Sequence, residues 1–284
     1  MRIGGRHRQH SAKMPPDFFG REDMQHPMLT IARRAAEEAG RLIERGYRDL
    51  SRIKVQEKGR GDFVSVIDQQ SEQIIRQILQ DKFPEHDILG EEFGGLSVAE
   101  SDYQWIIDPL DGTANFVHGL PHFAISIALL KKGQLEIGLV YNPITDEMFS
   151  AARGEGAFCN GQRIRANGQR DSHKAMIATG FPFKTPEQMA QQFAYCQSVL
   201  EDFSDLRRLG AAALDLCYVA CGRQDGYFES GIKPWDIAAG ILIAQEAGCL
   251  VSDYGDEKAM LDTETIVCAN AYLHPILMKA LRRA

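Results

Sequence analysis

Between Met28 and Leu50, Ala32, Ala35, Ala39, Leu42, Ile43 and Tyr47 recur at helical spacing, which predicts a first helix. KGRGDFVSVID then reads as a Gly-rich turn and a short alternating strand, Phe63 to Ile67. Asp68 opens a second helix with Ile74, Ile75, Ile78 and Leu79 on one face, stopped before Pro84. HDILGEE (86–92) and YQWIID (103–108) predict strands that both run into acids, and FGGLSVAESD between them predicts a loop. Residues 123–130, 135–141 and 147–152 read as successive antiparallel strands turned by KKGQ and NPITDE, and GEGAFCNGQRI carries a further hairpin signal.

Beyond residue 170 the pattern changes to strands alternating with helices. Strands are expected at 175–180, 205–209, 225–230, 249–253 and 265–268, and helices at 186–203, 211–222, 235–247 and 271–283. The fold class is therefore α+β over residues 28–172 and α/β over 173–284, with the acidic strand ends expected to meet at the seam. No internal repeat or low-complexity segment interrupts either half.

Composition narrows the function classes only a little. The 284 residues carry 44% hydrophobic and 25% charged side chains, ordinary for a soluble enzyme. A formal charge of −7 argues against nucleic acid as the main ligand, and no direct DNA binding is expected. Cys159, Cys196, Cys217, Cys221, Cys249 and Cys268 lie in no CxxC or Cys/His pattern, so they read as reduced thiols of a cytoplasmic protein. Cys217 and Cys221, four apart on an expected helix, read as buried small residues rather than a metal pair. No apolar run reaches the ~20 residues of a membrane span. Residues 1–27 hold Arg2, Arg6, Arg8 and Lys13 with no acid before Asp17, and are expected to be a disordered leader.

The densest chemistry is WIIDPLDGTANF, residues 105–116. Pro109 disfavours helix at Asp108 and starts a turn that returns Asp111 towards it. Gly112 lets a backbone approach a ligand closely, and Thr113 starts a helix whose free N–H groups suit phosphate oxygens. Two carboxylates held together repel unless a cation intervenes, and oxygen donors without His or Cys point to magnesium rather than zinc. Residues 108–113, DPLDGT, also fit an ordinary Asp-Gly turn with Asp108 and Asp111 capping amides. Three further stretches bring acids of the same kind: Glu91 and Glu92 in LGEEF, Asp236 in KPWDIAAG, and Asp68. Taken singly, these are a solvated loop, a helix-dipole acid and an N-cap.

GEE, WIIDPLDGTANF and WDIAAG, in this order and at these intervals, resemble the inositol monophosphatase family of magnesium-dependent, lithium-inhibited phosphatases, over residues 28 to the C-terminus. ATGFPF, RRLGAAALDLCYVACGRQDGYFE and KPWD are closest to a bacterial branch of it. The resemblance implies a layered αβαβα sugar-phosphatase fold, a homodimer, and hydrolysis of myo-inositol 1-phosphate or related sugar-alcohol monophosphates with two or three Mg2+ per site. Glu91, Asp108 and the Leu110 carbonyl would hold a first metal. Asp108, Asp111 and Asp236 would hold a second, with Glu91 helping at a third. Thr113 and Asp68 would orient and deprotonate water, and the Gly112 and Thr113 amides would receive the phosphate. Glu229 and the amides around Gly210 and Ala212, with Asp111, would hold sugar hydroxyls, and Lys58 would lie near the metals.

Two positions depart from the family pattern: Ala114 stands where a second threonine is usual, and Lys233 where animal members often have histidine. The segment after Asp253, YGDEKAM, is shorter than the usual Gly-rich turn. His118 and His122 beside the motif read as packing residues. Other substrates used by relatives are fructose 1,6-bisphosphate, histidinol phosphate and 3′-phosphoadenosine 5′-phosphate. The resemblance to the bacterial branch also implies a reading from another class, a regulatory partner of RNA polymerase and Nus antitermination factors. Arg207 and Arg208 are then the contacts to watch, against a plain salt-bridge role.

Overall fold

The computed structural model describes residues 26–53, 55–59, 62–98, 101–181 and 185–284. The proposed leader lies outside the described residues, apart from His26 and Pro27. The order begins α1 (Pro27–Arg48), β1 (Val55–Gly59), β2 (Asp62–Ser65), α2 (Val66–Lys82), β3 (Asp87–Gly90), β4 (Gly94–Leu96), β5 (Tyr103–Asp111) and α3 (Thr113–Val117). The antiparallel run β6 (Ala124–Lys131), β7 (Gln134–Asn142), β8 (Glu147–Ala152), β9 (Gly156–Cys159) and β10 (Gln162–Ile164) follows. The second half alternates: β11 (Met176–Thr179), α4 (Pro186–Asp202), β12 (Asp205–Arg207), α5 (Ala212–Ala220), β13 (Gly226–Ser230), α6 (Pro234–Glu246), β14 (Leu250–Ser252), α7 (Met260–Thr263), β15 (Thr265–Ala269) and α8 (His274–Arg283).

Two main sheets result, eight strands in the order β10-β9-β8-β7-β6-β5-β3-β4 and five in the order β12-β11-β13-β15-β14. Their apolar faces dictate the layering. Ala39, Ile43, Ile75 and Leu79 of α1 and α2 pack on Ile107, Ile127 and Leu139 of the large sheet. Its other face, with Ile106, Val140 and Phe149, packs on Leu216, Ile237 and Leu242 of α5 and α6. Those helices also meet Tyr227 and Ile266 of the small sheet. Val199 of α4 and Leu277 and Leu281 of α8 cover its outer face, against Ile177, Phe228 and Val267. The stack is αβαβα, as the resemblance implies. Helix α6 is apolar on every side because it is sandwiched between two sheets; α1 buries one stripe.

Three local expectations shift. The second helix starts at Val66, two residues earlier than expected, because the Ser65 hydroxyl accepts from Ile67 N at 3.1 Å and caps it. The expected loop after Glu92 contains β4, a three-residue strand paired antiparallel to β3. The last helix starts at His274, because Asn270 Oδ1 takes the Tyr272 and Leu273 amides, each at 2.9 Å.

Candidate active site

Alternation along β5 sends Ile107 to the α1/α2 side and Ile106, hence Asp108, to the α5/α6 side. Asp108 lies opposite Ser126 of β6 and Asp111 opposite Ala124, so β5 carries one residue more than its partner. Pro109 has no N–H for the ladder and sits in this bulge. Leu110 N turns back and donates to Asp108 Oδ1 at 2.9 Å. Gly112 follows at φ 91°, where a side chain is strained, and a Cβ there would lie 3.0 Å from the His122 carbonyl oxygen.

Strand β3 lies parallel to β5 and ends just before Glu91, whose amide donates to Ile107 O at 3.2 Å. Asp236 is in the first turn of α6, where Lys233 N donates to its Oδ2 at 2.8 Å. Three elements, β3, β5 and α6, thus bring Glu91, Asp111 and Asp236 within electrostatic reach of Asp108. Burial raises the Asp108 pKa well above the carboxylate range, and the charges of Glu91, Asp111 and Asp236 push it further. Asp111 is raised in the same way by burial and by Asp236, while the Ala213 amide, 2.7 Å from its Oδ2, opposes the shift. Buried like charges are tolerated only with protons or cations, and an all-oxygen donor set fits a hard divalent ion. Among the described residues, no three His, Cys, Asp or Glu side chains stand ready-made as a metal-holding group. The carboxylates form a charge cluster that also caps backbone amides.

Thr113 begins α3, and its hydroxyl lies 2.7 Å from Asp68 Oδ1 and 3.0 Å from the Leu110 carbonyl oxygen. With one proton to give, it serves one acceptor at a time. Asp68 Oδ2 accepts from Ser65 N at 2.9 Å and Ser65 Oγ at 2.5 Å, which fixes the carboxylate. Burial raises the Asp68 pKa, with these hydrogen bonds opposing it.

The other expected residues divide. Glu229 on β13 shares its strand face with Tyr227, whose hydroxyl donates to Glu229 Oε2. Burial first, and then Asp236, lift the Glu229 pKa to about 7, against the Tyr227 hydrogen bond and Arg208. Gly210, at φ 87°, and Ala212 at the start of α5 lie beside the cluster, but the amide that engages Asp111 is that of Ala213. Lys58 falls on β1, and its side chain lies outside the described residues. Lys233 Nζ is ion-paired with Glu264. Arg207 pairs with Asp205 at 2.6 Å, while the Arg208 charge is felt by Glu229 and Asp215. His122 packs edge-on against Tyr218 at 5.6 Å, and burial lowers its pKa to about 4, so it is a neutral packing ring.

Three residues escaped the sequence reading. Asn115 Nδ2 reaches the His122 carbonyl oxygen at 2.7 Å and that of Leu209 at 2.8 Å, tying the acid turn to the loop before α5. Gly180 lies so close to Glu229 that a Cβ would stand 2.1 Å from its carboxylate oxygens. Asp215 is buried on α5, holds Gln224 Nε2 at 3.0 Å, and is pushed by burial to about 8. Only Asn115, within DGTAN, carried a local signal.

The sequence profile of the inositol monophosphatase family matches residues 24–284. The chain belongs to the inositol monophosphatase family. The Nus factor SuhB of Pasteurella multocida is 50% identical over 244 residues, 86% of this chain and 91% of that one. The extragenic suppressor protein suhB of Bartonella henselae superposes with a TM-score of 0.87 at 39% identity, covering 90% of this chain and 99% of that one. The inositol monophosphatase of Anabaena (Nostoc) sp. superposes with a TM-score of 0.80 at 36% identity, covering 90% and 96%. Family membership makes phosphatase chemistry the frame for the acid cluster. No helix among the described residues is long and apolar enough to cross a membrane.

Proposed function

We propose that this chain is a magnesium-dependent phosphomonoesterase that releases phosphate from myo-inositol 1-phosphate or a similar sugar-alcohol monophosphate. The observation that carries this reading is the buried Asp108, repelled by Glu91, Asp111 and Asp236 beside the Thr113–Asp68 pair. Glu91, Asp108, Asp111, Asp236 and the Leu110 carbonyl would hold magnesium, which supplies Lewis-acid stabilisation of the phosphoryl oxygens and makes water more acidic. Thr113, donating to Asp68, keeps lone pairs with which to accept a hydrogen bond from the attacking water. Asp68 then takes up the proton relayed through that hydroxyl. The Gly112 and Thr113 amides face the phosphate. Glu229, held by Tyr227 and backed by Gly180, accepts from polyol hydroxyls.

The ion pair of Lys233 with Glu264 favours a neutral polyol over a second phosphate, since that cation is already neutralised. Initial rates over inositol 1-phosphate, fructose 1,6-bisphosphate, histidinol phosphate and 3′-phosphoadenosine 5′-phosphate, with a lithium titration, test this. Preference for the bisphosphates would refute the substrate class.

A second reading, as a partner of Nus factors and RNA polymerase, is favoured by the SuhB relative named as a Nus factor. The two roles are compatible in one chain. Pull-down with RNA polymerase and Nus factors, comparing wild type with Arg208→Ala, tests it, and equal absence of capture in both rejects it.

A further inference from the structure

We propose, resting on the metal-site reading above, that Glu72 and Arg76 of α2 are positioning residues that hold the turn carrying Glu91. The Glu72 side chain is fully buried, and Arg76 Nε lies 2.6 Å from its Oε1. A helical Glu–Arg pair at i,i+4 is of small worth on a surface, and burying it adds a desolvation cost. What compensates that cost lies outside α2. Glu72 Oε2 accepts from Glu92 N at 2.7 Å, and Oε1 from Phe93 N at 3.3 Å. The Arg76 fork continues to the Gly94 carbonyl oxygen, and its guanidinium carbon stands 6.0 Å from the centre of the Phe93 ring. The backbone from 92 to 94 is thereby fastened to the helix.

Gly90, just before Glu91, passes directly over this pair. A Cβ there would lie 2.0 Å from Glu72 Oε1 and 2.9 Å from Arg76 Nη2, so a side chain at this position would displace the pair from where it holds the turn. The same helix face reaches the other acid turn. Ser71 Oγ donates to the Pro109 carbonyl oxygen at 3.0 Å, and Asp68 accepts from Thr113. Asp68, Ser71, Glu72 and Arg76 follow helical spacing, so one rigid element spaces the turn of Glu91 from the turn of Asp108 and Asp111. Carboxylates that share a cation need such a fixed spacing, because small misplacements of a ligand set are costly.

The test is calorimetric titration of Mg2+ into the full chain without substrate, for wild type, Glu72→Gln, Glu91→Gln and the double variant, with melting temperatures alongside. The expected result is a loss of about tenfold or more in Mg2+ affinity for Glu72→Gln, the range found for groups that orient metal ligands. In the Glu91→Gln background the same change should add less than about twofold, because the two act on one ligand. Wild-type Mg2+ affinity in Glu72→Gln, or an equal loss in both backgrounds, would overturn the proposal. Unchanged affinity in Glu91→Gln would instead remove the metal-site reading and the proposal with it. If Glu72→Gln does not fold, Arg76→Lys reads the same link. It keeps the charge but loses the fork to Gly94, and unaltered Mg2+ affinity there overturns the proposal too.

Discussion

Thr113 shares its single proton between Asp68 and the Leu110 carbonyl, and that hydroxyl is the group the mechanism asks to orient water. Thr113→Ala is expected to lower kcat by about 10²–10⁴, the usual worth of a positioned proton-transfer group. KM should stay within about twofold, since no ground-state contact is lost. Thr113→Ser should restore most of the rate, and steady-state kinetics of the two variants check both statements. At this scale the sequence was informative where the chemistry is local. DPLDGT contains its own turn, bulge and helix start, so Asp108, Asp111 and Thr113 could be named together. Glu72, Gly180 and Asp215 could not. Each acquires its contacts from a segment distant along the chain, and alone each looks like an ordinary helix or loop residue.

Elements were legible wherever apolar positions meet the core. Helical spacing marked α1 and α2, apolar runs bounded by turns marked β5 to β8, and the alternation of strands with helices placed α4 and α6. The misses were helix starts decided by side-chain capture of the backbone, as at Ser65 and Asn270, and one short strand decided by pairing alone, β4. Nor could the sequence reveal how tightly the middle helices approach. At Gly240 of α6 a Cβ would lie 2.6 Å from Leu216 Cδ1 and 2.8 Å from Leu216 Cβ, on α5. Gly240→Val therefore overpacks the helix layer that carries Asp236 and Ala213. Urea unfolding should report a loss of about 1–3 kcal/mol, occasionally more. An unchanged midpoint would mean that the layer is looser than these distances indicate.

At the scale of the whole molecule, the change of pattern near residue 170 marked an α+β and an α/β half and led to the expectation that acidic strand ends meet at their seam, while the αβαβα layering came only from the family resemblance. Burying carboxylates at that junction has a pH signature. Burial lifts Asp215 in the folded state to about 8, against the Gln224 hydrogen bond. Below pH 4 both states hold the proton. Between about 4 and 8 the unfolded chain releases it and the native chain keeps it, so stability falls as pH rises and then levels off. Each unit of that shift is worth about 1.4 kcal/mol. Thermal melts in EDTA should therefore decline from pH 5 to pH 8 less steeply for Asp215→Asn than for wild type. Parallel curves would show that Asp215 ionises normally.

The catalytic expectations depend on acids at the end of β3, on β5 and on α6 serving one charge-demanding centre. The most direct measurement is the initial rate of phosphate release from inositol 1-phosphate as Mg2+ is raised, for wild type and Asp108→Asn. A rate that climbs from near zero and saturates in wild type, and stays near zero in Asp108→Asn although the variant is folded, is the predicted result. Equal rates in the two proteins, or wild-type turnover that persists in excess EDTA, would contradict it.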